Sequence, residues 1–291
     1  MVPVSAQMSF TSNMQKTLFA IGFGYVAEHL AGLLHLEGWR VIGTTRNADK
    51  AKSMRNAGFE PVLGDEATRF VPPEEAFWLV STPTRGGRCP GHELFAQHAA
   101  SAAWIGYISA TSVYGDRQGG WVLENTPVSP DSPRGHDRVR AENAWRESFP
   151  ASDIIRLPGI YGPGRSPFEA LEVGEARRID KPGQVFSRIH VEDIASGLKA
   201  AMDRPGGGRV LNLCDDWPSA PGDPIAFAAE LIGTAPPPLV AFDEAEMSDM
   251  ARSFYSECKR VGNGMTKAAL GWKPRYPGYR EGLTAIFGKR G

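Results

Sequence analysis

Cysteine is scarce in this chain. Cys89, Cys214 and Cys258 are the only three among 291 residues, and they stand far apart. An odd count with no Cys-x-x-Cys pair indicates neither a disulfide framework nor a metal site, and reduced thiols in a cytoplasmic protein are the expectation. Charge of one sign is lacking too, because 32 Lys and Arg stand against 33 Asp and Glu, a net charge of −1. That balance provides no field to steer the protein towards nucleic acid or an acidic membrane. Long apolar runs are missing, so no segment reaches the roughly 20 residues that a bilayer span requires. The leader Met1–Lys16 is polar and mixed, without the basic start and apolar block of a signal peptide. It reads as a flexible, frayed tail, with Met8 and Met14 both available as natural starts. Internal repeats, heptads and low-complexity tracts are absent as well.

What is plentiful is glycine and proline, 33 and 23 residues, which suits many short turns between elements. The length allows one large α/β unit or two lobes around a substantial core. Thr17–Ile21 is a short apolar run ending in glycine, and Val26–Glu37 follows with Val26, Leu30, Leu33 and Leu34 at helical spacing. Arg40–Thr44, Glu60–Leu63, Phe77–Val80 and Ile105–Ser109 read as strands, separated by helices over Ala48–Ala57 and His92–Ala103. Such alternation implies right-handed βαβ units and a parallel sheet buried on both faces. Further on, Arg134–Glu147 and Val191–Met202 read as helices, and Asp153–Leu157 and Val210–Cys214 as strands. Pro224–Leu231, a Pro236–Pro238 loop and a final helix near Met265–Leu270 complete the pattern. The expected fold is a doubly wound, Rossmann-type α/β sheet with a smaller C-terminal substrate lobe. Its expected parts are a leader over 1–16, a dinucleotide-binding unit over 17–165 and a lobe over 166–291, with segments near 185–215 returning to the sheet.

Gly22-Phe-Gly24-Tyr25-Val26-Ala27 sits where the first strand ends and a helix begins. Glycine permits the tight turn and lets the backbone approach a pyrophosphate, while Tyr25 and Val26 open a helix whose first N–H groups are free to donate. The second strand ends Thr44-Thr45-Arg46. An NAD-reading site would place a carboxylate near Thr45; a hydroxyl and a guanidinium bind a 2′-phosphate instead, so NADP is favoured over NAD. Ser81 and Thr82 end the fourth strand, at the same edge of the sheet.

Ser109-Ala110-Thr111-Ser112-Val113-Tyr114-Gly115 follows the fifth strand, and Arg134 and Arg138 open the next helix. Arg156-Leu-Pro158-Gly159-Ile-Tyr161-Gly-Pro-Gly-Arg165, Arg188-Ile-His190-Val-Glu-Asp193-Ile-Ala195 and Leu270-Gly-Trp272 come later, in that order. Together with the glycine turn, this series resembles the extended short-chain dehydrogenase/reductases, the NAD-dependent epimerase/dehydratase family, over nearly the whole chain. In that family a Ser or Thr stands three residues before the Val of Val-Tyr-Gly, and a Tyr-x-x-x-Lys motif opens the following helix. Here those positions hold Ala110, Arg134 and Arg138, so the resemblance is to an atypical member lacking the usual triad.

The resemblance implies roles for particular residues. Asp65 matches an adenine-contacting aspartate, Pro158 lies against the cofactor, and Arg138 stands where a lysine would hold the ribose. Arginine stays protonated far above physiological pH, so Arg134 cannot act as a base. Tyr114 and Thr111 are then the candidate catalytic groups with Arg134 beside them, while Ser112, Arg134, Arg165 and Arg188 are candidate substrate contacts. Arg134 and Arg138 share a helical face, where an anion between them would offset their repulsion. Pairing with Asp131 or Asp137 is the simpler alternative. Gly159 replaces a common substrate-binding Asn, which argues against ordinary UDP-sugars, and His190 and Asp193 read as structural. The reaction implied is oxidoreduction or epimerisation of a small, anionic or sugar-derived molecule. The alternative is an inactive NADP(H)-binding sensor. Relatives dimerise through the helices that correspond to His92–Ala103 and Arg134–Glu147, which makes a homodimer the expectation should the resemblance extend that far.

Overall fold

β1 (Thr17–Ile21) is buried along its whole length, as a strand covered on both faces must be. Its alternate residues feed two separate cores. Leu18 and Ala20 join Ala27, Leu30 and Leu34 on one face; Phe19 and Ile21 join Trp78, Phe95 and Trp145 on the other. The computed structural model describes residues 15–290, so most of the expected leader, with Met8 and Met14, lies outside the described residues.

From β1 the chain alternates through α1 (Tyr25–Leu36), β2 (Arg40–Thr45), α2 (Ala48–Asn56), β3 (Glu60–Leu63), β4 (Phe77–Val80), α3 (Pro90–Phe95) and β5 (Trp104–Ala110). A two-residue β6 (Trp121–Val122) precedes α4 (Pro133–Ser148) and β7 (Asp153–Leu157). Next come β8 (Gly159–Tyr161), α5 (Pro167–Glu172), β9 (Arg178–Asp180), β10 (Arg188–His190), α6 (Val191–Met202) and β11 (Val210–Asn212). The chain closes with α7 (Asp223–Leu231), β12 (Leu239–Ala241), α8 (Asp249–Phe254), β13 (Arg260–Val261), α9 (Gly264–Leu270) and α10 (Tyr279–Gly288).

Seven strands form one parallel sheet in the order β11-β7-β5-β4-β1-β2-β3. This is a Rossmann-type α/β sheet. Strand order reverses between β1 and β4, and ligands of such sheets bind outside the carboxyl ends of the strands at a switch of this kind. On one face α1 packs beside α6, with Ala27 and Ala31 of the first and Ala195 of the second in the shared core. A separate small core joins Tyr161, Phe168, Ala228, Leu283 and Ile286, which ties α5, α7 and α10 together. No helix among the described residues is long and apolar enough to cross a membrane.

Three local readings need correction. The helix expected over His92–Ala103 starts earlier, at Pro90, and after Phe95 tightens into 3₁₀ turns over Ala96–Ser101. Those turns bury Ala99 and bring the chain back to β4, where Ala103 N–H donates to the Ala76 carbonyl at 3.0 Å. The strand expected to reach Cys214 stops pairing at Asn212. The helix near Met265–Leu270 is not the last, because α10 follows, its Tyr279, Leu283 and Ile286 packed inward. The closely spaced Pro274 and Pro277 ahead of it masked its start.

Candidate active site

The turn after β1 is braced by both neighbouring strands. Gly22 N–H donates to Thr44 Oγ1 of β2 at 2.7 Å, and Ser81 Oγ beyond β4 donates to the Gly22 carbonyl at 2.5 Å. Gly22 has φ +89°, where a side chain would be strained, and a Cβ there would stand 3.1 Å from Thr82. Gly24, which opens α1, is different. Its φ is −98°, and a Cβ built on it meets nothing within 4 Å. Neither backbone nor packing requires glycine at 24, so the chain leaves open space in front of the free N–H groups of Tyr25 and Val26.

The neighbouring expected residues lie along the same edge. Thr45 Oγ1 accepts from Asn47 N–H at 3.2 Å, and Arg46 follows it, exposed, at the end of β2. Asp65 is exposed after β3, two strands from the glycine turn. Thr82 Oγ1 accepts from Gly91 N–H at 3.2 Å, which fixes the start of α3 against β4.

Beyond this turn, over the ends of β5 and β7, opens a cavity of about 680 Å³. Thr111, Ser112, Arg134, Pro158, Arg165 and Arg188 are among its walls, together with Ala110 and Gly159. Tyr25 links cavity and turn: the Arg165 guanidinium lies 5.9 Å from its ring centre, and its hydroxyl donates to the Pro163 carbonyl at 2.9 Å. Burial pushes the Tyr25 phenol up to about 12, so it stays protonated. Four cationic side chains, Arg134, Arg165, Arg188 and Lys259, face the cavity against one carboxylate, Glu257.

Arg188 is partly buried among them. Its guanidinium donates to the Ser219 hydroxyl at 2.8 Å and the Phe186 carbonyl at 3.1 Å, neither of which carries charge. The nearby Asp215 is buried, and burial pushes its carboxyl up to about 8; neither it nor the more distant Asp223 forms a direct ion pair with the arginine. A partly buried cation without a carboxylate in direct contact is costly, and an anion in the cavity would offset that cost.

Tyr114 does not reach this cavity. The 3₁₀ turn Thr111–Tyr114 presents Thr111 and Ser112 outward and turns Val113 and Tyr114 into the core, where Tyr114 is fully buried. Its hydroxyl donates to Asn212 Oδ1 at 2.8 Å, and Arg156 lies over its ring at 4.8 Å. Burial raises this phenol, so the expectation of a reactive Tyr114 is corrected: it is a packing and bonding residue. Arg138 does not line the cavity either. One helical turn deeper than Arg134, it donates to the Ile108 carbonyl at 2.9 Å and to the Tyr107 hydroxyl at 3.0 Å, away from the cavity. Arg134 instead stacks 4.6 Å from the Phe254 ring, so the two arginines point to different neighbours. Asp137 pairs with Arg140, and Asp131 accepts from Asp116 N–H at 2.6 Å, so neither acid serves Arg134 or Arg138.

His190 and Asp193 hold elements together. His190 Nδ1 accepts from Glu192 N–H at 3.2 Å and so caps α6, while burial pushes its imidazole down to about 4. Asp193 accepts from the backbone N–H groups of Arg275 and Tyr276 at 2.6 and 3.0 Å, anchoring the chain ahead of α10.

The opposite wall of the cavity was not legible from motifs. It consists of Ser253, Phe254, Tyr255, Glu257, Lys259 and Val261, from the end of α8 to β13. The available signal was the alternation Glu257-x-Lys259-x-Val261, which places three side chains on one side of an extended segment just after the turn at Tyr255.

No protein-family model matches the chain. A functionally unknown conserved protein from Silicibacter pomeroyi DSS is 47% identical, with a TM-score of 0.87 over 94% of this chain and 99% of that one. The chain belongs to that protein's family. The Streptomyces 3-diazoavenalumate denitrifying reductase is 26% identical over 92% of this chain and 99% of its own length. Human epimerase family protein SDR39U1, solved with NADPH, shares 16% identity with a TM-score of 0.73 over 94% of this chain and 98% of that one. The resemblance to the NAD-dependent epimerase/dehydratases therefore holds at the level of the fold.

Proposed function

We propose that this protein is an NADP(H)-dependent oxidoreductase of the epimerase/dehydratase type, acting on a small anionic molecule. The observation that carries the reading is Arg188, hydrogen-bonded to uncharged groups alone, in a cavity that adjoins, through Arg165 and Tyr25, a glycine turn with room for a pyrophosphate. The NADPH in the human structure and the reductase activity named for the Streptomyces relative support it. Gly22, Gly24 and the first N–H groups of α1 would hold the pyrophosphate, Thr45 and Arg46 the 2′-phosphate, and Ser81, Thr82 and Pro158 the nicotinamide side. A bound nicotinamide supplies a hydride donor or acceptor. Arg134 and Arg188 would hold the anionic group of the substrate, and Thr111 and Ser112 would orient its reacting end. The apolar lining of Leu157, Ile160 and Phe186 would exclude water from it.

Gly24→Ala tests the reading. The fold has space for the methyl group, so stability should fall by about 1 kcal/mol or less, the usual cost of alanine at a helix start. NADPH affinity should nevertheless drop about tenfold or more, because the methyl group enters the pyrophosphate space. Nicotinamide fluorescence reads the binding and thermal melting the stability. A wild type that binds neither NADPH nor NADH ends the proposal. The burial of Tyr114 and the methyl of Ala110 favour one second reading, a nucleotide sensor without turnover. Saturable NADPH binding, with no oxidation by any anionic aldehyde or ketone, would select it.

A further inference from the structure

Residues 255–261 contribute a strip of the cavity wall. Tyr255, Glu257, Lys259 and Val261 all line it, whereas Ser256, Cys258 and Arg260 do not. Within this strip, Lys259 Nζ donates to the Gly115 carbonyl at 2.9 Å and to Glu257 Oε2 at 2.5 Å. Both side chains of this pair are about nine-tenths buried. The first bond bolts the strip to the turn that carries Thr111 and Ser112. An ammonium has three N–H groups, so two are spoken for and the third is free for a ligand in the cavity that Lys259 lines.

The other cations of the cavity are poorer proton carriers. Arg134, Arg165 and Arg188 do not give up a proton in any accessible pH range. Tyr114 is buried elsewhere. The Tyr255 ring packs against Phe186 and Phe242, at 5.3 Å from each.

We propose that Lys259 is the proton-donating group of this cavity, and that Glu257 and the Gly115 carbonyl are its positioning partners. The inference rests on the oxidoreductase reading above, and it narrows the substrate to an aldehyde or ketone that also carries an acidic group. As the carbonyl carbon takes a hydride from bound NADPH, the Nζ–H bond breaks and an O–H bond forms on the carbonyl oxygen. The lysine is left as a neutral amine and regains its proton from water. Arg134 and Arg188 hold the acidic group, and the oxygen comes to Nζ.

Pyridoxal 5′-phosphate is a suitable probe, being an anionic aldehyde small enough for the cavity. With its phosphate on the arginines, a carbonyl within reach of Nζ condenses with the amine, water leaves, and borohydride reduces the resulting C=N bond to a stable secondary amine. Peptide mapping of the wild-type protein should find Lys259 modified at least about tenfold faster than other lysines, the signature of a ligand held in place. Tyr255→Phe should keep the modification, and Lys259→Arg should lose it while retaining NADPH binding. An unmodified Lys259 in a wild type that binds NADPH overturns this inference alone. Modified Lys259 in a protein that binds no nicotinamide nucleotide overturns the oxidoreductase reading and leaves only a carbonyl-binding lysine. Faster modification of any lysine outside the cavity also counts against the proposal. The wild-type map decides the matter even if Lys259→Arg fails to fold.

Discussion

The Tyr114 hydroxyl and Asn212 Oδ1, 2.8 Å apart, join the turn after β5 to the edge strand β11 inside the core. Asn212 extends the connection, donating through Nδ2 to the Gly262 carbonyl at 2.9 Å. Its backbone N–H reaches Thr266 Oγ1 at 2.8 Å. Tyr114→Phe therefore strands a buried amide oxygen without touching the cavity. The expected outcome is a loss of about 1–3 kcal/mol in urea unfolding, with NADPH affinity unchanged. A variant of wild-type stability with impaired turnover would restore Tyr114 to the reaction.

Glu142 and Arg156 form a two-point ion pair with side chains almost fully buried, and Ser109 Oγ donates to Glu142 at 2.6 Å. Glu142→Gln leaves the arginine charge uncompensated in the core. We expect a loss of about 3–5 kcal/mol, read from denaturant midpoints. The double variant Glu142→Leu/Arg156→Met should lose clearly less, because no buried charge remains. Equal losses would place the cost in packing rather than charge.

His190 sets an acid-side stability slope. Burial disfavours its charged form and holds the folded imidazole at about 4, below its ordinary value of 6.5; the cations His29, Lys289 and Arg275 add to this, while Glu192 opposes them. The unfolded state therefore binds more protons between those values, so this contribution is present above 6.5 and is lost as pH falls towards 4. The full effect is about 3 kcal/mol. Asp193, held at about 6 in the fold by burial, works in the opposite direction over part of the same window, so the wild-type curve alone does not isolate the histidine. His190→Asn keeps an acceptor for Glu192 N–H and removes the titration. The stability difference between the two proteins should shift by this amount between pH 6.5 and 4; a flat difference would dismiss the effect.

Arg46 should carry the preference for NADPH. It is exposed at the end of β2 beside Thr45, with no carboxylate adjacent in sequence to repel a phosphate. A charge-assisted hydrogen bond contributes about 1.5–3 kcal/mol. Arg46→Ala is therefore expected to weaken NADPH about ten- to hundredfold and leave NADH nearly untouched. Fluorescence titration of both nucleotides checks this. Equal losses would mean that Arg46 shapes the strand end, and a wild-type preference for NADH would end the idea.

The sheet was readable because a strand buried on both faces is a continuous apolar run. Thr17–Ile21, Glu60–Leu63, Phe77–Val80 and Asp153–Leu157 carry the boundaries that their composition suggests. Half of the cavity was readable for another reason: Thr111, Ser112, Pro158 and Arg165 lie in turns directly after such strands, where spacing along the chain still tracks position. Direction was not readable. Whether Tyr114 faces in or out depends on one 3₁₀ turn, and Arg138 differs from Arg134 by a single helical turn along β5. The strip from Tyr255 to Val261 was hidden because alternation reports which residues share a side, not what that side meets. Its meaning depends on Gly115, 144 positions earlier than Lys259.

That separation has a consequence for how the molecule comes into being. A chain emerging from the ribosome has all the strands of the large sheet once Asn212 is out, but the cavity still lacks a wall. Only when Lys259 reaches back to Gly115, and β13 takes its place beside β6, does the hollow close around its arginines. Small molecules that fill it would therefore stabilise only a chain that extends through Val261.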